Sequence, residues 1–196
     1  MTAVNSFRVI KLELIRKAIH FLIALSPVMA IISLSFTLGA LVLGILTFIC
    51  FEYLRLKWIS VPVVSSLTVM ASRARDQGRF VLGPVTLGLG ALLSLSFFPI
   101  EIASLAIYAL AFGDGFAGLV GKAFGQIRPA FLFGKSLEGS LACFFAVFIA
   151  SWRLSHNLPL SLAAAFTATA VEALPLEDFD NVILPLAVGL VVFIAI

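Results

Sequence analysis

The stretch FLIALSPVMAIISLSFTLGALVLGILTFICF, residues 21–51, decides the fold because it contains no acidic or basic side chain. A helix that crosses a membrane takes about 20 residues, so this run is too long for one span. Its middle holds small and polar residues, which are Ser33, Ser35, Thr37 and Gly39. We therefore expect a break there and two membrane helices, near 18–34 and 37–54.

The composition of the whole chain indicates the same class of protein. Hydrophobic residues make up 62% of the 196 residues and charged residues only 12%, with a mean hydropathy of +1.17. An ordinary soluble domain has about 25% charged residues. A soluble fold of this size could not bury so much apolar surface, so the composition excludes a soluble enzyme as well as a disordered tail. We predict an integral membrane protein.

Further apolar runs predict helices near 80–100, 101–122, 138–154, 159–173 and 182–196. Segment 59–72 contains Pro62 and allows three interpretations: a membrane span, an interfacial helix or a broken helix. The expected fold class is all-α: a polytopic membrane protein with about seven transmembrane helices (roughly six to eight), without a soluble domain. These helices form a single membrane-embedded domain over 1–196. The amphipathic segment 1–17 is expected to lie on the membrane surface.

The distribution of the basic residues predicts the orientation, since cytoplasmic loops carry an excess of Lys and Arg. Of the 13 bases, four lie in 1–17, two in 55–57, three in 73–79 and three in 122–135, while Arg153 stands alone. If 59–72 does not cross, the first four groups share one side of the membrane. We therefore expect a cytoplasmic N-terminus, an external C-terminus and polar chemistry on the cytoplasmic face.

Cysteine and charge usage exclude other classes. Cys50 and Cys143 both lie inside apolar runs, so neither a disulfide framework nor a Cys-x-x-Cys metal site is expected. The net charge of +3 comes from bases spread over several loops, which does not suit nucleic acid. It suits anionic lipid or bound phosphate.

Asp114 is the most informative ionisable residue, because no other charge lies between Glu101 and Lys122. Helical spacing puts three glycines within about 40° of it on one face, namely Gly118, Gly121 and Gly125. Such glycines allow two helices to approach closely. They also leave room for a bulky anionic ligand beside a divalent cation held by the carboxylate. The two interpretations are compatible.

The loop that follows contains Gly134-Lys135-Ser136, which is similar to the end of a Walker A loop. The first glycine of that motif would stand at Pro129, and no strand precedes it, so this is not a Walker A loop. The local chemistry still favours phosphate: Lys135 brings a positive charge, and Ser136 can cap a helix that starts at Leu137. The alternative is a capped helix whose basic residues face anionic lipid.

Three further groups of polar residues stand near helix ends. Four carboxylates lie between the last two apolar helices: Glu172, Glu177, Asp178 and Asp180. The alternative interpretation is that they belong to an ordinary solvated loop. Asp180-Asn181 at the mouth of the last helix can cap that helix or bind a metal. One face of the first helix presents Arg16, Lys17 and His20, and Glu52 and Arg55 have the spacing of a helix-surface ion pair.

These motifs together resemble the CTP-dependent lipid-alcohol kinase family, which includes dolichol (polyprenol) kinases, phytol kinases and CTP-using diacylglycerol kinases. The similarity covers most of the chain. Its most specific part is Gly113-Asp114-Gly-Phe-Ala-Gly118-Leu-Val-Gly121-Lys122, followed by Gly134-Lys135-Ser136-Leu-Glu138-Gly139-Ser140. Weaker parts are Arg16-Lys17-Ala-Ile-His20, Glu52-Tyr-Leu-Arg55, Arg75 to Pro84, Glu172 and Asp180-Asn181-Val-Ile-Leu-Pro185.

The resemblance implies transfer of the γ-phosphoryl group of CTP to the hydroxyl of a membrane lipid alcohol. Asp114 would hold Mg²⁺, with Asp180 and Asn181 as further ligands. The nucleotide and its phosphates would be bound by Gly118, Gly121, Lys122, Arg128, Gly134, Lys135, Ser136 and Glu138. Asp180 or Glu172 would orient or deprotonate the hydroxyl, with Lys135 as a further catalytic residue. Accessory residues would be Arg16, Lys17, His20, Glu52, Arg55 and Arg79.

The partners implied are CTP, the lipid alcohol and the bilayer, and a homodimer is possible. The expected location is a prokaryotic inner membrane. Phosphatidate cytidylyltransferases are similar in the middle block, but they carry a later His-Gly-Gly segment. Neither His20 nor His156 is followed by two glycines here. A small ion-coupled transporter is the alternative from another class, since Asp114 and broken helices also suit ion passage.

Overall fold

The computed structural model describes residues 13–14, 16–57 and 78–196. Within this part of the chain there is no strand, and residues 13–14 are also helical. The helices are α1 (16–22), α2 (Leu25–Ile32), α3 (Leu34–Leu56), α4 (Gly83–Phe97), α5 (Ile100–Ala123), α6 (Leu137–Ser155), α7 (Leu158–Ala173) and α8 (Asp180–Ala195). The segment 59–72, and with it the choice between crossing and not crossing, lies outside the described residues.

The predicted break in the first apolar run is confirmed at Ser33, which is extended between α2 and α3. Its Oγ accepts a hydrogen bond from the Phe36 amide at 3.4 Å and so caps α3. The single helix expected near 18–34 is wrong, because a turn at 23–24 separates α1 from α2. Pro27 has no N–H to donate to the Ile23 carbonyl, which instead accepts from the Ser26 hydroxyl at 2.7 Å.

Helix α5 is the central element of the bundle. It packs against α2, α4, α6, α7 and α8, and Ile107, Ala109 and Leu110 are fully buried. Its middle, Ala109–Asp114, is a π-helix, a wide turn that is frequent at functional sites. The described chain thus places Asp114 where the π-helical segment ends.

Three described helices, α3, α5 and α6, are long and apolar enough to cross a membrane, and α4, α7 and α8 are shorter apolar helices. Large apolar side chains cover the outside of the bundle, for example Leu43 and Phe145. Such a surface suits lipid rather than water. The apolar helices therefore indicate membrane association, while seven crossings and the lack of a soluble domain remain predictions.

The connections bring several helix ends to one side of the bundle. Only two residues join α6 to α7, and His156 between them is left-handed with φ 50°. The two helices are therefore antiparallel neighbours, so that α6 starts where α7 ends. A short connection likewise brings the start of α8 next to the end of α7.

The substitution Gly90→Ala tests the close packing of α4 against α8. A Cβ at Gly90 would overlap the carbonyl oxygen of Asn181 and lie 3.2 Å from Pro185 Cγ. We expect Gly90→Ala to lower the free energy of unfolding by about 1–3 kcal/mol, since neither neighbour is a flexible side chain end. Thermal unfolding of the detergent-solubilised protein measures this. The matched control is Gly39→Ala in α3, where nothing lies within 4 Å, and equal melting temperatures for both variants would contradict the packing.

Candidate active site

An open cavity of about 360 Å³ lies where α1, the end of α5, the start of α6, the end of α7 and the start of α8 meet. It brings together Asp114, Lys135 and Asp180, which are far apart in the sequence. The other predicted site residues that line it are Arg16, Lys17, Gly118, Gly121, Lys122, Arg128, Gly134, Ser136 and Glu172. Most of the residues singled out for chemistry therefore share one cavity.

Asp114 is paired with α1. Its Oδ2 lies 2.6 Å from Lys17 Nζ and 3.2 Å from His20 Nε2. Lys17 Nζ also donates to the backbone carbonyl of Asp114 at 2.9 Å, and His20 Nε2 lies 3.1 Å from the Leu110 carbonyl oxygen. The residues expected to be accessory therefore contact the carboxylate expected to hold the metal ion.

Glu13 is a residue of this cavity that the sequence analysis missed. It is buried, and its two carboxylate oxygens contact Arg16 and Lys122. It thereby connects α1 to the last turn of α5. Its position three residues before Arg16, the spacing of a helix ion pair, is the signal that could have indicated it.

Lys135 connects the loop before α6 to the last turn of α7. Its Nζ lies 2.9 Å from Glu172 Oε1 and also donates to the backbone carbonyl of Glu172. A lysine at the C-terminal end of a helix is favourably placed with respect to the helix dipole. This cation therefore has a fixed position at the cavity wall.

The start of α6 has the predicted cap. Ser136 Oγ accepts from the Gly139 amide at 3.1 Å, and the helix begins at Leu137. Glu138 Oε1 accepts from the amides of Gln126 and Ile127, at 3.0 and 3.1 Å. Glu138 is therefore directed into the loop between α5 and α6 and does not line the cavity.

Arg128 crosses the same loop. Its guanidinium donates to the carbonyl oxygens of Gly134 at 2.6 Å and Gly121 at 3.2 Å. Gly134 has φ 88°, a left-handed conformation that glycine adopts without strain. The loop therefore closes against the end of α5, with Arg128 still at the cavity.

The glycine face of α5 is occupied in part by the protein itself. A Cβ at Gly118 would lie 2.6 Å from Lys17 Cε, and one at Gly121 would lie 3.0 Å from Ser136 Oγ. Both glycines also line the cavity. The same glycine face therefore allows close packing and leaves space for a ligand, the two interpretations that the sequence analysis kept. The expected helical position of Gly125 is wrong, because α5 ends at Ala123.

Asn181 and His20 lie on the other side of Asp114, at a smaller cavity of about 60 Å³. The Asn181 amide nitrogen donates to Thr86 Oγ1 at 3.0 Å and to the Gly83 carbonyl at 3.4 Å. It thus connects the start of α8 to the start of α4. Asp114 borders both cavities.

Glu52 and Arg55 line neither of these two cavities. Arg55 Nε and Nη2 donate to the two Glu52 carboxylate oxygens, both at 2.7 Å. Glu52 also accepts from the Val81 amide at 2.8 Å, and Arg55 donates to the Arg79 carbonyl at 2.9 Å. This pair therefore fixes the segment that leads into α4, and the backbone of Arg79 is part of it.

Curated proteins with similar sequences include several that are named kinases. One named "Probable phytol kinase, chloroplastic" from Triticum aestivum is 37% identical over an alignment 112 positions long, which covers 49% of this chain and 37% of that protein. "CTP-dependent diacylglycerol kinase 1" from Saccharomyces cerevisiae is 24% identical over 66% of this chain and 53% of its own length. The homologues support the CTP-dependent lipid kinase family. "Probable phytol kinase 2, chloroplastic" from Glycine max is 30% identical over 68% of this chain and 53% of that protein.

The chain spans about half the length of these relatives or less. No family model matches it, and no solved structure does. Among the described residues, no group of three or more His, Cys, Asp or Glu side chains is arranged to hold a metal ion.

The Lys17–Asp114 contact can be tested by a double-mutant cycle. Exposed fractions are only 3% for the Lys17 side chain and 13% for that of Asp114. We expect Lys17→Met to lower the free energy of unfolding by about 3 kcal/mol or more, because the carboxylate loses its buried cation. Adding Asp114→Asn should restore part of that loss. Thermal unfolding in detergent is the measurement, with the exposed Arg153→Met as control, and strictly additive effects would argue against the contact.

Proposed function

We propose that this protein transfers the γ-phosphoryl group of CTP to the hydroxyl of a membrane lipid alcohol, giving a lipid monophosphate and CDP. The acceptor class comprises polyprenol or dolichol, phytol and diacylglycerol. The observation that carries the proposal is the cavity that gathers Asp114, Lys135 and Asp180. Phosphoryl transfer needs mainly positioning and neutralisation of charge, and this cavity offers carboxylates and cations together.

The residues of the cavity fit a Mg²⁺–nucleotide. Mg²⁺ is usually held by one or two protein carboxylates plus substrate phosphates, so a cluster of three protein ligands is not required. Asp114 and Asp180 line the same cavity, and their carboxylate oxygens are the ligand type that Mg²⁺ prefers. In this proposal Asp114 and Asp180 would hold Mg²⁺, which would neutralise phosphate charge, and Asn181 next to Asp180 would be a further ligand.

The cations of the cavity have distinct positions around the proposed phosphates. Lys122 lies in the last turn of α5, Arg128 crosses the loop, and Lys135 stands just before α6. The start of α6 adds the favourable end of a helix dipole, since Ser136 at the cap also lines the cavity. Glu138 fixes the loop by accepting hydrogen bonds from its amides. Gly118 and Gly121 have no side chain, so they leave space in the cavity for the nucleotide.

A carboxylate accepts the proton of the attacking hydroxyl, and Asp180 and Glu172 are the candidates at the cavity. The hydroxyl oxygen forms a bond to the γ-phosphorus while the bond from that phosphorus to the β,γ-bridging oxygen breaks. CDP leaves with the electron pair of that bond. The proton passes from the carboxylate to solvent when the lipid phosphate departs.

The acceptor arrives from the bilayer in this proposal, with the site on the cytoplasmic face of a prokaryotic inner membrane. The loop beside the cavity supports such a position. It exposes large apolar side chains between its basic residues: Phe124, Ile127, Phe131 and Phe133. Aromatic and basic residues together favour the headgroup region of a membrane, where the hydroxyl of a lipid alcohol also lies.

The direct test uses the purified full chain in detergent with γ-labelled CTP, Mg²⁺ and a panel of polyprenol, phytol and diacylglycerol. Label in the lipid together with released CDP supports the proposal. Pyrophosphate release with a CDP-lipid formed from phosphatidate would instead establish a cytidylyltransferase. No nucleotide turnover with any of these lipids would contradict both activities.

Lys135→Met tests the charge-neutralising role. We expect kcat to fall by about 100-fold or more, because a cation that faces the transferring phosphoryl group is lost. Arg153→Met is the matched control, since Arg153 is an exposed base in the last turn of α6, at the end of that helix away from Lys135. A folded Lys135→Met protein with the kcat of the wild type would contradict the assignment.

A further inference from the structure

Two buried polar atoms in the wall of the large cavity have no hydrogen-bond partner within the described chain: Ser140 Oγ and Glu172 Oε2. Both residues are only 6% exposed. Buried polar groups are normally paired, because they have given up hydrogen bonds to water. Two unpaired groups that line one cavity indicate a ligand that supplies the missing partners.

Ser140 differs from other serines and threonines in these helices. Ser94, Ser161 and Thr169 each donate to the carbonyl four residues earlier, at 2.7, 2.7 and 2.8 Å. The corresponding carbonyl for Ser140 is that of Ser136, and among the described residues it accepts from the Ser140 amide, at 3.0 Å, and not from the Ser140 hydroxyl. The Ser140 hydroxyl is therefore available to a ligand in the cavity.

Glu172 is held so that only one of its oxygens is paired. Lys135 Nζ contacts Oε1 at 2.9 Å and fixes the carboxylate at the end of α7. Oε2 remains as a buried acceptor beside the cation that the proposed function assigns to the phosphates. A group bound to Oε2 therefore lies near the phosphoryl group that Lys135 would neutralise.

We infer that Ser140 and Glu172 form the subsite for the hydroxyl of the acceptor alcohol, an inference that rests on the proposed function. An alcohol has one O–H donor and two acceptor lone pairs. Its O–H donates to Glu172 Oε2, and its oxygen accepts from Ser140 Oγ. This match assigns a binding role to Ser140 and selects Glu172 over Asp180 as the carboxylate that receives the proton.

The burial of the subsite suits an alcohol acceptor rather than water. A phosphoryl donor beside free water would be hydrolysed, whereas a buried subsite that needs a hydroxyl attached to an apolar chain limits that loss. Apolar and small residues line the same cavity, including Ala117, Leu174 and Pro175. They provide contacts for the carbon atoms next to the hydroxyl.

Ser140→Ala is the first test. We expect the KM for the lipid alcohol to rise about tenfold, because one hydrogen bond to the hydroxyl is lost, while the Kd for CTP measured without lipid stays unchanged. Ser140→Thr keeps a hydroxyl and should recover most of the wild-type KM. Ser151→Ala is the matched control, since Ser151 is a buried serine of the same helix that does not line the cavity. It should leave both constants unchanged.

Glu172→Gln is the second test. We expect kcat to fall by about 100-fold or more with CTP binding retained, because the amide cannot receive the proton. Thermal unfolding checks that each variant is folded. An unchanged KM for the alcohol in folded Ser140→Ala would overturn the subsite, and so would a raised Kd for CTP, which would assign the two atoms to the nucleotide. Failure of the proposed function itself is separate: the wild type would then label no alcohol at all.

Discussion

The ion pair between Lys17 and Asp114 is the contact on which the described site depends. Burying a charge in an apolar bundle is costly unless an opposite charge accompanies it, so each of these residues needs the other. The pair joins residues that are 97 positions apart and thereby fixes α1 against the centre of α5. Glu13, four residues before Lys17, contacts Lys122, eight residues after Asp114, and so continues the same interface. Without this contact the cavity would lose one of its walls.

Three lysines of the cavity are each paired with a carboxylate, namely Lys17–Asp114, Lys122–Glu13 and Lys135–Glu172. This arrangement suits a ligand that is itself a pair of opposite charges. Mg²⁺ bound to nucleotide phosphates offers a cation to the carboxylates and anionic oxygens to the lysines at the same time. Such a ligand exchanges partners within each pair, so that no buried charge is left alone. A lone anion would instead have to compete with the carboxylates for every lysine.

The sequence predicted what depends on local patterns. The helix bounds follow from apolar runs, the break at Ser33 from a polar interruption, and the cap at Ser136 from the residue type before an apolar run. The turn at 23–24 and the π-helix were not predictable in this way. They depend on tertiary packing and on single carbonyl groups, which leave little trace in residue type. Glu13 and Ser140 were missed for the same reason, since their importance comes from the neighbours that the fold supplies.

The residues that carry the family resemblance have two different physical roles in this structure. Asp114, Lys135 and Glu172 line the cavity, whereas Glu52, Arg55 and Asn181 hold the backbone around α4. Glu52 is almost fully buried, and its carboxylate is matched by Arg55 and by the Val81 amide. The Val81 segment lines the small cavity beside Asp114, so these supporting residues act on the site through the position of α4. A motif residue without a place in the cavity is therefore still tied to the chemistry, because it fixes the backbone next to the central carboxylate.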